Sequence, residues 1–93
     1  MAIIHVVETR AEADLNVYVA DSRGDADLFV YKADSRAGAR EPGWWFFTDS
    51  RAQADYNVCL VDTRGYSDLN ICYVEHQRDA GWRVKSHSYK GKL

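Results

Sequence analysis

Short apolar stretches alternate with short polar ones at a fixed interval along the whole chain. "IHVVETRAEADL" from Ile4 is followed by "VYVADSRGDADL" from Val17 and "VYKADSRAGARE" from Val30. "WFFTDSRAQADY" from Trp45, "VCLVDTRGYSDL" from Val58 and "ICYVEHQRDAGW" from Ile71 complete six copies. The step is thirteen residues except between the third and fourth copies, where "EPG" lengthens it to fifteen. The insertion separates two halves, because Ile4, Val17 and Val30 map onto Trp45, Val58 and Ile71 by a constant shift of 41. Such a period points to a repeated structural unit.

Each copy opens with a run of β-branched and aromatic residues, too short for an independent helix and suited to a strand of about five residues. In the second copy Leu15, Val17 and Val19 share one face and Asn16, Tyr18 and Ala20 the other. Both faces are largely apolar, which predicts strands covered on two sides. An acid, a hydroxyl and an arginine follow, as in Asp21-Ser22-Arg23 and Asp62-Thr63-Arg64. Short polar side chains can accept hydrogen bonds from nearby backbone N–H groups, so this triplet predicts strand exit into a turn or one helical coil. A small residue and Asp then lead into the next strand, as in Ala13-Asp14, Ala26-Asp27, Ala54-Asp55 and Ser67-Asp68. Connections of about six or seven residues are too short for a crossover between neighbouring parallel strands, which takes roughly a dozen. Consecutive strands are therefore antiparallel neighbours, or the chain travels to a place that is not adjacent. On periodicity alone, an unknotted antiparallel β-barrel or a β-solenoid fits.

At 93 residues, the chain is expected to form a single domain over 1–93, with repeats about 4–84 and a polar tail at 86–93. The formal charge of −2 gives no attraction for phosphates or anionic lipid, so no nucleic acid or membrane partner is expected. No apolar run reaches the about 18 residues of a membrane span, and "MAIIHVVETRAEAD" turns polar too soon for a secretory signal. A cytoplasmic monomer is the expectation. Cys59 and Cys72 lack the close spacing of a zinc or redox pair. They occupy a repeat slot filled elsewhere by Tyr18, Tyr31 and Phe46, which predicts small buried apolar side chains.

The assembled motifs resemble the septoil-knot proteins, small bacterial domains built of "VYxxDxxxxAD" repeats. The resemblance runs from about Ile3 to Lys85, through "GWWFFTDSRAQAD" at the midpoint to a closing "DAGWRVK". It implies a mostly β fold whose two similar halves wind by a pseudo-twofold into a seven-crossing torus knot. It supplies no catalytic residue. The chain departs from the pattern at Arg40, which replaces the "AD" carboxylate, and at His76-Gln77, which replace the hydroxyl and arginine. Lys32 also replaces an apolar strand residue, and Trp45 stands where other copies carry Val or Ile.

The recurring charges admit two readings. Asp21, Asp34, Asp49 and Asp62 can form an acidic ring for a cation or basic ligand, with Arg23, Arg36, Arg51 and Arg64 holding an anion. The favoured reading is that each arginine reaches a carboxylate or carbonyl of another copy and ties the loops together, since its planar fork makes several hydrogen bonds at once. His5 is read as a packed ring, and His76 and His87 as loop and tail residues, with no metal or cofactor expected. No nucleophile elbow, phosphate loop or metal signature is present to recruit them.

Trp44, Trp45, Phe46 and Phe47 follow the Pro42-Gly43 turn and offer a binding platform, with Trp44 the best candidate for exposure. Gly81-Trp82 echoes Gly43-Trp44, so the two tryptophans are expected to cover equivalent ends of the fold. Lys85, Lys90 and Lys92 give a mildly basic, solvated tail. The favoured function is a non-enzymatic structural or interaction domain that resists unfolding. The alternatives are a binding module at the aromatic residues or a groove between the halves, and a cryptic hydrolase. Candidate interaction residues are Trp44, Arg40, His76 and Trp82, where the repeat breaks.

Overall fold

A computed structural model describes residues 2–84 and 93. Each apolar run forms a strand: β1 (Ala2–Val7), β2 (Leu15–Val19), β3 (Leu28–Lys32), β4 (Trp44–Phe47), β5 (Tyr56–Val61) and β6 (Leu69–Val74). A two-residue β7 (Gly81–Trp82) follows. One 3-10 turn stands after each of the first six strands: turn 1 (Arg10–Glu12), turn 2 (Arg23–Asp25), turn 3 (Arg36–Gly38), turn 4 (Arg51–Gln53), turn 5 (Arg64–Tyr66) and turn 6 (Gln77–Asp79). The strand exit is thus a helical coil, as the triplet predicts, but no side chain caps it. The three-residue turn is closed by its own backbone, as when Glu12 N–H donates to Thr9 and Ala13 N–H to Arg10.

The strands are hydrogen-bonded in the order β4-β1-β5-β2-β6-β3, and β3 also pairs with β4. Six strands therefore close into a barrel, and all six pairings are parallel. Antiparallel neighbours, the first of the two options left by the loop lengths, are not found there. Strands of four to six residues are only about 13–20 Å long. A return of six to eight residues can span them, so the chain passes over one strand at each step. The connection through the insertion has eleven residues and joins β3 and β4, which are adjacent.

β1, β2 and β3 thus take alternate places around the barrel, and β5 and β6 fill gaps they leave. Every strand of the first half lies between two strands of the second. The winding makes two circuits. β7 adds antiparallel to β3 at Leu28 and Phe29, below the point where Tyr31 and Lys32 meet β4.

The register slips by two residues at every step: Ile4 faces Tyr56, Val58 faces Leu15, Val17 faces Leu69 and Ile71 faces Leu28. A constant slip tilts the strands and puts equivalent repeat residues at one height. Ile4, Val17, Val30, Trp45, Val58 and Ile71 form the central layer, and all six are fully buried. Burying each such side chain stabilises by about 1.5–3 kcal/mol. Below them Ala2, Leu15, Leu28 and Leu69 join the same cluster, where Trp82 and Leu93 pack too. Leu93 is buried and its carbonyl accepts from Gly43 N–H, which corrects its expected place in a solvated tail. Lys85, His87, Lys90 and Lys92 lie outside the described residues.

The opposite strand face is covered in part, with Tyr18, Phe29, Tyr31 and Phe46 half-buried. Ile3, Val7, Ala20, Cys59 and Val74 are buried although none belongs to the inner cluster. Cys59 and Cys72 are both free thiols, the second only half-buried.

Candidate functional site

The aspartate of each "AD" step is a clamp. Asp14 N–H donates to the Asn57 carbonyl at 2.6 Å, while Asn57 N–H donates to Asp14 Oδ2 at 2.7 Å. Asp27 holds Asn70, Asp55 holds Ile3 and Asp68 holds Asn16 in the same two-point way. In each case the carboxylate leading into one strand grips the neighbouring strand, so it sets register between the interleaved halves. Arg40 stands at this slot before β4 and is exposed, and among the described residues no clamp forms there.

The arginines run sideways, from the first residue of one turn to the third of the next. Arg36 Nη2 donates to Gln53 Oε1 at 2.8 Å. Arg51 lies 3.7 Å from Glu12, Arg64 lies 3.6 Å from Asp25 and Arg23 lies 3.9 Å from Asp79. The Arg10 guanidinium sits 4.4 Å over the Tyr66 ring. These contacts follow the strand order, linking turns 3, 4, 1, 5, 2 and 6 in series. Among the described residues no sixth link runs from turn 6 back to turn 3, because Gln77 replaces the arginine and Gly38 offers no side chain.

Two of the four predicted interaction residues meet beside this open link. Trp44 and Trp82 line one cleft of about 410 Å³ together with Glu41, Pro42, Gln77 and Gly81. They do not cover two equivalent ends, since β4 and β7 share the same edge of β3. Trp44 is half-buried: its Nε1 donates to the Gln77 carbonyl at 3.2 Å, and its ring meets Tyr31 edge-on at 6.0 Å. Trp82 is buried. Exposed Arg40 and His76 adjoin the cleft in sequence, beside Glu41 and Gln77, without lining it. Gly43, between Pro42 and Trp44, packs too tightly for a side chain: a Cβ would lie 2.5 Å from the Phe29 carbonyl oxygen and 2.7 Å from Gly81 N.

The other end of the barrel, at the carboxyl ends of the strands, is open. One step above the central layer the inner positions are Val6, Val19, Lys32, Phe47, Leu60 and Tyr73. Val6 is 43% exposed and Leu60 42%, whereas the layer beneath is fully buried. Val19, Phe47 and Tyr73 are partly buried against the core. The next equivalent position carries an acid in all six copies: Glu8, Asp21, Asp34, Asp49, Asp62 and Glu75, every one exposed. Among the described residues none of these six makes a hydrogen bond or ion pair. Lys32 Nζ lies 4.2 Å over the Tyr73 ring. Burial raises the Tyr73 phenol above its ordinary value.

The family model described as "7(1) septoil knot domain" matches residues 1–83. The chain belongs to the septoil knot family. No curated protein and no solved structure matches it.

Histidine chemistry gains little from this septoil knot domain. His5 Nδ1 is 3.0 Å from the Thr48 carbonyl oxygen, a contact that orients the ring on the barrel wall. His76 lies beyond β6, which is not a neighbour of β1. Among the described residues no three His, Cys, Asp or Glu side chains converge as metal ligands would. No helix there is long and apolar enough to cross a membrane.

Proposed function

We propose that this septoil knot domain is a non-enzymatic structural or interaction domain, tied with seven crossings, whose winding resists forced unfolding. The observation that carries the reading is the strand order, in which the two halves alternate around the barrel and the chain circles it twice. A strand of one half cannot leave without breaking backbone pairing to two strands of the other. The aspartate clamps and the arginine series add ties across the same boundaries. The expected setting is a cytoplasmic monomer, in keeping with two free cysteines and a small net charge.

The test is degradation by an ATP-driven unfoldase of the natural chain and of an untied circular permutant matched in equilibrium stability. The natural chain is expected to be processed several-fold more slowly. Equal rates would contradict the reading, because stability alone would then set the resistance.

A further inference from the structure

We propose that the open mouth of the barrel is a docking surface for a basic segment of a partner protein that presents lysine or arginine around an apolar anchor. The proposal does not depend on whether the chain is knotted.

The floor comes first. Val6 and Leu60 are two of the three large apolar residues that stay exposed among the described residues, and both belong to the inner layer at this end. Val19, Phe47 and Tyr73 continue that layer. At the opposite end, equivalent interior positions are closed over by Trp82 and Leu93. The same strand pattern is therefore plugged at one mouth and uncovered at the other. An uncovered apolar floor loses the burial that stabilises the rest of the layer stack, and a partner that covers it recovers that burial.

Charge then decides the partner. The six carboxylates from Glu8 to Glu75 ring the floor and are engaged with no described residue. The nearby arginines are turned along the series of turns, with Arg23, Arg36, Arg51 and Arg64 each reaching the following turn. A negative partner would be repelled and a neutral one would gain nothing from the rim. Lys32 shows that the mouth accommodates a cation, because its ammonium already lies over the Tyr73 ring. Two clefts open there. One of about 500 Å³ is lined by Lys32, Asp34, Tyr73 and Glu75. The other, of about 390 Å³, is lined by Leu60, Asp62 and Tyr66 and also by Arg10, whose guanidinium lies over the Tyr66 ring and leaves the Leu60 and Asp62 side for a partner's cation. Together they give an apolar anchor places to insert with carboxylates beside each.

A displayed library of random dodecapeptides panned against the full chain tests this. Enriched sequences are expected to combine lysine or arginine with a large apolar residue and to bind less well as salt rises. Their affinity should fall on the order of tenfold for Leu60→Ser and for Asp34→Asn combined with Asp62→Asn. Glu41→Gln, at the other cleft, should leave it unchanged. All of these positions are exposed, so thermal melting is expected to show every variant folded. Failure to enrich, enrichment of acidic or uncharged sequences, binding that survives both changes, or a mouth covered by a second copy of the chain would each overturn the proposal.

Discussion

Asp68 and Asn16 hold each other by two backbone-anchored hydrogen bonds across 52 residues of sequence: Asp68 N–H to the Asn16 carbonyl at 2.7 Å, and Asn16 N–H to Asp68 Oδ2 at 2.9 Å. The pair joins β6 to β2, one from each half. Asp68 is solvent-exposed, which discounts the bond, so Asp68→Ala is expected to cost about 1 kcal/mol. Asp68→Asn keeps an acceptor oxygen and should cost less. Urea denaturation of both variants checks the order.

The sequence made the strands and the turns legible, because six copies of one phrase repeat both the apolar run and the exit triplet. Side-chain parity along Leu15 to Ala20 also separates the two faces, the first packed into the core and the second, with Asn16 and Tyr18, half-buried. The direction of pairing was not legible. A seven-residue loop fits either antiparallel neighbours or a step over one strand, and only strand length decides that a parallel return is possible. From the sequence the "AD" step is only a lead into the next strand, yet its aspartate is the clamp; its constant place in four copies is the available signal. Arg40, Trp44, His76 and Trp82 stand out in the sequence because the repeat breaks there, and of these Trp44 and Trp82 share a cleft. The open mouth was harder to see. Val6 and Leu60 look like any strand residue until closure of the barrel shows them left partly exposed among the described residues.

Trp45 occupies a layer position that Val17, Val30 and Val58 fill in other copies, and it is fully buried. Restoring the repeat with Trp45→Val should nevertheless destabilise by about 3 kcal/mol or more, because the indole volume would be left as a cavity. Trp45 Nε1 is buried with no hydrogen-bond partner among the described residues. Trp45→Phe removes that unpaired donor and should cost clearly less. Chemical denaturation of the two variants separates the effects.

Gly43 and Gly81 both have positive φ, 85° and 136°, but only Gly43 is crowded. Gly43→Ala forces a Cβ against the Phe29 carbonyl and the Gly81 nitrogen, and is expected to cost about 3 kcal/mol or prevent folding. At Gly81 no atom of the described residues lies within 4 Å of the added carbon, so Gly81→Ala should carry the backbone strain alone, about 1–2 kcal/mol. Thermal melts of both variants check the ranking.

Tyr73 gives the stability a pH dependence with a defined sign. Burial raises its phenol above the ordinary value of 10.0, so the unfolded chain releases this proton first as pH rises. The contribution is fully present below about pH 10 and is lost as pH climbs through the raised folded value. Tyr73→Phe keeps the ring beneath Lys32 and should flatten the alkaline limb of a denaturation-midpoint profile. An unchanged limb would assign it to other groups.

The most direct measurement of the central claim is single-molecule stretching of the chain between handles at its two ends. For 93 residues, full extension is roughly 330 Å. A seven-crossing winding tightens instead of pulling out, so the contour length released on unfolding should fall short of that extension by the length held in the tightened knot. Release of the full contour length would contradict the account and leave an unknotted, interleaved barrel in its place.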